Sequence, residues 1–243
     1  MSAREPDRRA VPRRKKPSHR SFYAAIVLIL VVGVAALAYL VGRPKAAPVS
    51  TYAPTIPAGT AKGYSMGRPD APVQMLEFAD FECPACAHYS VVTEPDVRSH
   101  LADAGVLRVT YYDFPLPMHK NTWWASHAAA CADDQGKFWE MHDRIFAGQN
   151  DWNGETTDNP VPILEGYAKA LGLDVPKWRA CVDGRVHQRD IEANRAEAER
   201  RQVQQTPTFV IGNRMIAGSI SYDEIKAYVD TARAGTAAKP SAQ

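Results

Sequence analysis

The chain has 243 residues, enough for one sizeable domain with a substantial core and additional segments. Its formal net charge is +2, but the first 20 residues carry +6, so the remaining 223 carry −4. A short basic run of this kind can bind nucleic acid. The apolar stretch that follows favours a membrane-flanking role instead, and we predict no nucleic-acid partner.

The apolar stretch predicts a membrane anchor. Phe22 to Val41 is an unbroken run of 20 apolar or small residues, which as a helix spans roughly 30 Å, the thickness of the bilayer hydrocarbon. The preceding basic residues predict a cytoplasmic N-terminus at 1–20, a transmembrane signal-anchor helix at 21–42 and a single-pass protein of the cell membrane. Ala36-Leu37-Ala38 resembles a cleavage site, so a cleaved signal is the alternative; the apolar run continues past it, which favours an uncleaved anchor.

The segment after the anchor predicts a tethered extracytoplasmic domain. Residues 43–64 contain four prolines among Ala, Thr and Ser, a composition typical of a linker. The domain itself is predicted over residues 65–235, followed by a short flexible tail at 236–243.

Two motifs about 120 residues apart predict redox chemistry. Cys83-Pro84-Ala85-Cys86 follows a strand-like run and begins a helix-like one, and a Cys-x-x-Cys pair there can cycle between dithiol and disulfide. The helix N-terminus favours an anion, so Cys83 is predicted to be partly thiolate near neutral pH. Thr206-Pro207 enters a second apolar run. Together the motifs predict a thiol–disulfide oxidoreductase with Cys83–Cys86 as its redox-active disulfide.

The other two cysteines, Cys131 and Cys181, are predicted to form a structural disulfide. Four cysteines allow three full pairings, and the sequence alone does not choose among them. If Cys83 and Cys86 exchange with each other, Cys131 and Cys181 are left to pair, and an exported domain preserves such a bridge. The alternative is two buried, unpaired thiols. A bridge closing a loop of this length stabilises the fold by about 4 kcal/mol in the chain-entropy model.

Hydrophobic periodicity and turn residues predict an α/β domain. The predicted strands are Val73–Phe78, Val106–Tyr112, Thr208–Ile211 and Arg214–Ala217, the last two joined by a tight turn at Gly212-Asn213. The predicted helices begin near Cys83 (with a kink or restart around Pro95), and cover Trp123–Ala132, Lys137–Phe146, Pro162–Leu171, one or two segments over 175–202, and Tyr222–Ala232, with a polar loop at Gln149–Pro160. This order predicts a mixed sheet with helices on both faces, and the two redox motifs at the same end of the sheet.

Three segments carry a resemblance to a known family: Glu77 to Cys86, Cys131 followed by Gly136 to His142, and Thr206 to Phe209. They resemble the DsbA family of extracytoplasmic thiol oxidases, over about Gly67 to Ala232. The resemblance implies a thioredoxin-like fold with an α-helical insertion at about 118–203. It also implies oxidation of exported proteins and re-oxidation by a DsbB-like or VKOR-like membrane partner. The second cysteine pair resembles the Gram-positive and actinobacterial branch, which is often membrane-anchored.

The resemblance also assigns site residues besides the cysteines. Pro207 matches the family's cis-proline, and a cis bond would let the backbone of Thr206 pair with an extended substrate; an ordinary trans proline at a strand edge is the alternative. Glu77 matches a buried acid that aids proton transfer. Asp80 competes for that role, and a strand carboxylate is more often solvent-facing.

Neither a cofactor nor a metal is predicted. A c-type haem site needs histidine directly after the second cysteine, where this chain has Ala87. A zinc site needs further ligands at suitable spacing, and His88 alone does not supply them. The Pro84-Ala85 dipeptide lacks the histidine of the best-known family members, which leaves the helix terminus as the main source of thiolate stabilisation and suggests a milder oxidant.

Two other functions stay open. A reductase or isomerase would use the same dithiol, although nothing in the sequence supplies an isomerase's dimerisation stem, and a monomer is predicted. A non-catalytic, membrane-tethered peptide-binding module belongs to a different class, and the intact cysteine pair argues against it. Replacing Cys83 by Ser distinguishes the two classes, because only a pure binder keeps its activity.

Overall fold

A computed structural model describes residues 19–41, 49–51 and 61–237, and the chain forms two compact units, 1–45 and 46–243. The described part of the first unit is one helix, α1 (His19–Val41), whose large apolar side chains from Phe22 to Tyr39 are exposed. Within the described ranges, no helix is both long enough and apolar enough to cross a membrane. The predicted signal anchor at 21–42 therefore stays a prediction. Most of the predicted cytoplasmic tail, linker and C-terminal tail lies outside the described residues.

The second unit is built on one mixed sheet of six strands in the order β1-β6-β5-β3-β4-β2. The strands are β1 (Val49–Thr51), β2 (Tyr64–Met66), β3 (Val73–Ala79), β4 (Leu107–Asp113), β5 (Thr208–Ile211) and β6 (Arg214–Ala217). The central strands β3 and β4 are parallel, and the other neighbours are antiparallel. Strand β1 lies inside the segment predicted as a linker, so part of that segment joins the sheet edge.

The helical stretch after β3 changes its winding near Pro95. It consists of α2 (Pro84–His88), a π-helical turn (Tyr89–Thr93), α3 (Glu94–Val97) and a second π-helical turn (Arg98–Ala102). Pro95 has no N–H and cannot donate to the carbonyl four residues before it, so a wider turn precedes α3 and Pro95 sits in the first turn of the new segment. The predicted restart is therefore present, without a break in the helix direction.

Six helices are inserted between β4 and β5. They are α4 (Thr122–Asp133), α5 (Phe138–Ala147), α6 (Gln149–Trp152), α7 (Val161–Ala170), α8 (Val175–Asp183) and α9 (Gln188–Arg200). The segment over 175–202 thus contains two helices. The prediction of a polar loop at Gln149–Pro160 is wrong at its start, because α6 buries Trp152 fully and its indole donates to the carbonyl of Ile145 at 2.8 Å.

The C-terminal hairpin and helix form close to the positions that the sequence predicts. Ile211 pairs with Arg214, so Gly212-Asn213 forms the predicted two-residue turn, and Gly212 has a φ of 60° that suits glycine. Helix α10 (Tyr222–Ala237) runs five residues further than predicted.

Buried apolar residues form three clusters around the sheet. One joins the end of β3 and the cysteine pair to α4, α5, α7 and α8; a second lies between the sheet and α3 and α10; a third lies on the opposite face, under α9. The cysteine pair therefore sits where the sheet meets the inserted helices.

Candidate active site

The two cysteines of the redox motif lie at the N-terminus of α2. Cys83 is the N-cap residue, and its N–H donates to the carbonyl of Asp80 at 3.0 Å. Cys86 lies one turn further along, is 1% exposed and belongs to the apolar core, whereas Cys83 is 8% exposed. Both are free thiols in this structure. The pair is therefore asymmetric, with one sulfur near the surface and the other fully buried.

The surroundings shift the two thiols in opposite directions. The Cys86 thiol, which hydrogen-bonds the Cys83 sulfur, is the largest cause lowering the pKa of Cys83 to about 6; burial opposes this, and nearby backbone N–H groups add to it. Burial raises the pKa of Cys86 well above its usual range, and the charge on Cys83 raises it further. At neutral pH, Cys83 is thus the thiolate and Cys86 keeps its proton.

The second motif meets the first across the sheet. The Thr206-Pro207 peptide bond is cis, and the Cys83 thiol faces the carbonyl oxygen of Thr206 at 3.5 Å. The carbonyl of Pro207 accepts a 2.7 Å bond from the N–H of Gly218, which ties the loop to the end of the β5–β6 hairpin. The structure therefore brings the backbone of Thr206 directly to the reactive sulfur.

Glu77 lies buried on β3, the strand that leads into the cysteine motif. Alternation along β3 places it on the same face as Met75, which packs near α3, and Ala79, which packs against the cysteine pair. Its side chain is fully buried, and neither carboxylate oxygen has a hydrogen-bond partner among the described residues. Burial, followed by the charge of Glu94, raises the pKa of Glu77 well above its usual range. The group is suited to exchange a proton.

Asp80, the competing acid, has a different task. Its Oδ1 accepts from the Glu82 N–H at 2.7 Å and from the Thr122 hydroxyl at 2.6 Å. Its Oδ2 accepts from the Leu116 N–H at 2.7 Å and faces His119 Nδ1 at 2.8 Å. The bond to Asp80 is the largest cause raising the pKa of His119. With both oxygens engaged, Asp80 fixes the loop before the cysteines onto the segment that enters the insertion.

Glu82 extends this fixation. One oxygen accepts the N–H of Asn121 at 2.6 Å and the other accepts the N–H of Gly154 at 2.6 Å. The Asn121 amide in turn donates to the carbonyls of Trp152 and Thr157 at 2.9 and 2.8 Å. A carboxylate next to the cysteine motif thus binds two separate points of the insertion, a role that the sequence analysis did not assign.

Gln149 completes the support of the active-site loop. Its buried side-chain amide donates to the carbonyl of Phe81 at 2.7 Å and to the carbonyl of Cys83 at 3.0 Å. The sequence predicts a polar loop beginning at Gln149, and no local signal indicates these contacts. The nearby buried Trp152 is the only hint, since a tryptophan in a polar segment suggests an anchoring contact.

Among the described residues, two groups of side chains have donor atoms close enough together to consider a metal. In the first, Cys131, Cys181 and His187 converge, but the two sulfurs are bonded to each other at 2.03 Å in a disulfide between α4 and α8. In the second, Glu94, His142 and Asp143 converge. There the Arg98 guanidinium bonds both carboxylates, so a cation already fills the position between them.

The geometry agrees with comparisons to known proteins. A family model described as thioredoxin matches residues 60–231. The chain belongs to the thioredoxin family. Among solved structures, oxidised BdbD from Bacillus subtilis is 22% identical, with a TM-score of 0.61 over 70% of this chain and 92% of that one. The DsbA1 protein of Wolbachia pipientis is 17% identical, with a TM-score of 0.65 over 75% of this chain and 96% of that one.

These similarities confirm the predicted thioredoxin-like fold with a helical insertion, and the DsbA-type thiol–disulfide oxidoreductases share it. A probable disulfide bond formation protein D of Bacillus anthracis is 24% identical over 167 residues, which are 68% of this chain and 76% of the relative.

Other curated relatives are much longer. The Na⁺/H⁺ antiporter NhaA 1 of Salinispora arenicola is 34% identical over 186 residues, which are 76% of this chain but 27% of the relative. The chain thus spans about a quarter of the length of these antiporters, and this thioredoxin-family domain has a counterpart within them.

Proposed function

We propose that this thioredoxin-family member is an extracytoplasmic dithiol oxidase that introduces disulfide bonds into exported proteins. One observation carries the proposal: the pKa of Cys83 is lowered to about 6 while that of buried Cys86 is raised. A stabilised Cys83 thiolate favours the reduced form of the enzyme, and an enzyme whose reduced form is stable is a strong acceptor of electrons from other thiols.

The reaction begins with the Cys83–Cys86 disulfide. A substrate thiolate attacks the sulfur of Cys83, the enzyme disulfide breaks, and the Cys86 sulfur leaves with the electron pair and takes a proton, which we assign to Glu77. A second substrate thiolate then attacks the substrate sulfur of the mixed disulfide, and Cys83 leaves as thiolate. Two electrons pass to the enzyme. The substrate loses two protons: one is matched by the proton that Cys86 takes up, and the other goes to solvent.

The contact between Cys83 and Thr206 supports a role in substrate positioning. Because the Thr206 carbonyl lies 3.5 Å from the reactive sulfur, an extended peptide bonded to the Thr206 backbone would carry its own cysteine to Cys83. Main-chain pairing is independent of side chains, which suits an enzyme that acts on many exported proteins.

The location of the enzyme is part of the proposal. The unbroken apolar run Phe22–Val41 after a basic segment supports a membrane anchor with the catalytic domain outside the cytoplasm. The Cys131–Cys181 disulfide supports the same compartment, because structural disulfides persist where conditions are oxidising. A membrane protein of the DsbB-like or VKOR-like kind would then re-oxidise the dithiol.

The test is the reduction potential of the Cys83–Cys86 pair in the full-length protein, measured in glutathione buffers, together with oxidation of a reduced, unfolded substrate protein. A potential near those of oxidising secretory compartments and rapid substrate oxidation are expected. A thioredoxin-like potential would indicate a reductase instead. Cys83→Ser should abolish activity, and Glu140→Gln, an exposed change on α5, should leave it intact; activity that survives Cys83→Ser would indicate a binding module.

A further inference from the structure

A line of buried polar atoms beneath the dithiol has no evident structural purpose. Both oxygens of Glu77, the hydroxyl of Tyr89, Oε2 of Glu94 and Nε2 of His142 are buried, and none has a hydrogen-bond partner among the described residues. Burying such groups unpaired costs about 1–3 kcal/mol each, and more when they are charged. Several unpaired polar groups together in one core, contributed by three neighbouring elements, need an explanation.

The outer end of this line reaches solvent through Asp143. His142 Nδ1 lies 3.0 Å from Asp143 Oδ1, and Arg98 donates to both oxygens of Asp143 at 2.9 and 2.8 Å. Burial alone would raise the pKa of Asp143, but the bonds from His142 and Arg98 outweigh it and lower that pKa. The Asp143 side chain is 46% exposed and borders an open groove of about 330 Å³.

This arrangement fixes the tautomer of His142. An ionised carboxylate only accepts hydrogen bonds, so Nδ1 of His142 carries a hydrogen toward Asp143. Nε2 is then the ring nitrogen directed toward Glu94. It faces Oε2 of Glu94 at 3.9 Å, a separation that a small side-chain rotation closes to hydrogen-bond distance. The other oxygen of Glu94 is held by Arg98 at 3.2 Å, which keeps Oε2 directed inward.

The inner end lies beside Glu77. Glu77 pairs with Phe209 across β3 and β5, and the Tyr89 ring packs against the Phe209 ring with centroids 4.6 Å apart. After burial, the charges of Glu77 and Glu94 are the next causes that raise the pKa of Tyr89. The phenol is thus within electrostatic reach of both carboxylates, and a hydroxyl can accept a proton from one group while donating to another.

We propose that Tyr89, Glu94 and His142 form a buried proton pathway that connects Glu77 with solvent at Asp143. The pathway rests on the proposed function, since it serves the proton that Cys86 takes up when the enzyme disulfide opens. Glu77 gives that proton to Cys86 and is reloaded through Tyr89, Glu94 and His142. When the dithiol is re-oxidised, Cys86 returns one proton to Glu77 and the pathway carries it outward.

The charged and titratable groups around the pathway are few. Glu77 faces Glu94, Arg98 and the two phenols of Tyr89 and Tyr111. His142 faces Glu94 from the helical stretch after β3 and Asp143 from its own helix, and Arg98 binds both of those carboxylates. The rest of its surroundings are aromatic rings: Phe81, Tyr111, Phe138, Trp139 and Phe146. These rings surround an imidazole that is fully buried, so its polar neighbours among the described residues are the carboxylates of Glu94 and Asp143.

The test uses two conservative variants of the full-length protein. Tyr89→Phe removes one unpaired hydroxyl and keeps the ring, and His142→Asn keeps a donor toward Asp143 but removes Nε2. The measured quantities are the rate at which dithiothreitol opens the Cys83–Cys86 disulfide, the rate at which oxidised glutathione re-forms it, and the equilibrium constant with glutathione. Each is followed from about pH 5 to about pH 9, in light and heavy water. Both variants should slow exchange by roughly tenfold near neutral pH and enlarge the solvent isotope effect.

The equilibrium constant separates a pathway from a structural role. Under the proposal it stays within about twofold of the wild-type value, because a proton route changes rates and not end states. The controls are Tyr112→Phe, on the opposite face of the sheet, and Glu140→Gln, exposed on α5; both should match the wild type. Wild-type rates in both variants, or a rate loss matched by an equal change in the equilibrium constant, would overturn the pathway. If the wild type fails to oxidise a reduced protein while the two variants still slow glutathione exchange, the oxidase function fails and the pathway stands.

Discussion

The sulfur of Cys83 lies 3.5 Å from the carbonyl oxygen of Thr206, although 123 positions separate the two residues in the sequence. The contact joins two motifs into one site and places a main-chain acceptor where a substrate backbone would bind. It also holds the Cys83 sulfur in the cleft between the sheet and the insertion. Changes on either side of this contact have measurable effects.

We expect Cys86→Ala to raise the pKa of Cys83. The thiol of Cys86 is the largest cause that lowers the pKa of Cys83 to about 6, so removing it should move that pKa toward the ordinary thiol value of about 8.5. The measurement is a pH titration of the ultraviolet thiolate absorbance. Cys131 and Cys181 are joined in a disulfide and contribute no thiolate signal. An unchanged titration curve would contradict the assignment of Cys86 as the stabilising donor.

Glu77→Gln should stabilise the protein at neutral pH and slow thiol exchange. The folded-state pKa of Glu77 is raised above its unfolded value of about 4.5, so its contribution to stability is present below that value and is lost as the pH rises through the folded pKa. Near neutral pH the buried acid destabilises the fold, because it either holds a proton that the unfolded chain would release or carries its charge in the core. An uncharged amide should therefore increase the free energy of unfolding by roughly 1–3 kcal/mol. Denaturant unfolding at acid and neutral pH measures this, and the gain should vanish in acid.

Gln149→Ala should loosen the active-site loop. The change leaves the carbonyls of Phe81 and Cys83 without their side-chain donor, at a cost of about 1–3 kcal/mol in unfolding free energy. The rate of reaction of Cys83 with a small alkylating agent should change as well, because the loop that carries it is less well held. Asn150→Ala, at the exposed neighbouring position, is the matched control, and equal effects of the two changes would exclude a specific role for Gln149.

Replacing both Cys131 and Cys181 by Ala should destabilise the fold but leave the redox pair able to exchange disulfides. The disulfide joins residues 50 positions apart, and its loss should lower the unfolding free energy by about 4 kcal/mol in the chain-entropy model. The two sulfurs are bonded to each other and not to the redox pair, so the glutathione equilibrium of that pair should stay near the wild-type value at a temperature where the variant is folded. A large change in that equilibrium would show that the second disulfide couples to the first.

The sequence predicts the elements far better than the contacts among them. Alternation over Val73–Phe78 and the turn at Gly212-Asn213 are local signals, and both elements form as predicted. The sequence does not determine whether Glu77 is buried, because a carboxylate on a strand is usually exposed. Its burial depends on the helix that covers this face of the strand. Gln149 has no local signal at all, since its partners lie 66 and 68 positions away. Spacing within a helix or strand indicates which side is buried, but it does not indicate which distant carbonyl a side chain reaches.

Apart from the bond from the Glu82 N–H to Asp80, the acids Asp80 and Glu82 accept their hydrogen bonds from residues in or bordering the insertion. The inserted helices therefore do more than cover the thioredoxin-like part of the domain. They supply the hydrogen-bond donors that fix the conformation of the cysteine loop. Opening of the insertion and loss of the reactive geometry should be one cooperative event. A minimal version of this domain, reduced to its sheet and flanking helices, would keep both cysteines but lose the groups that position them.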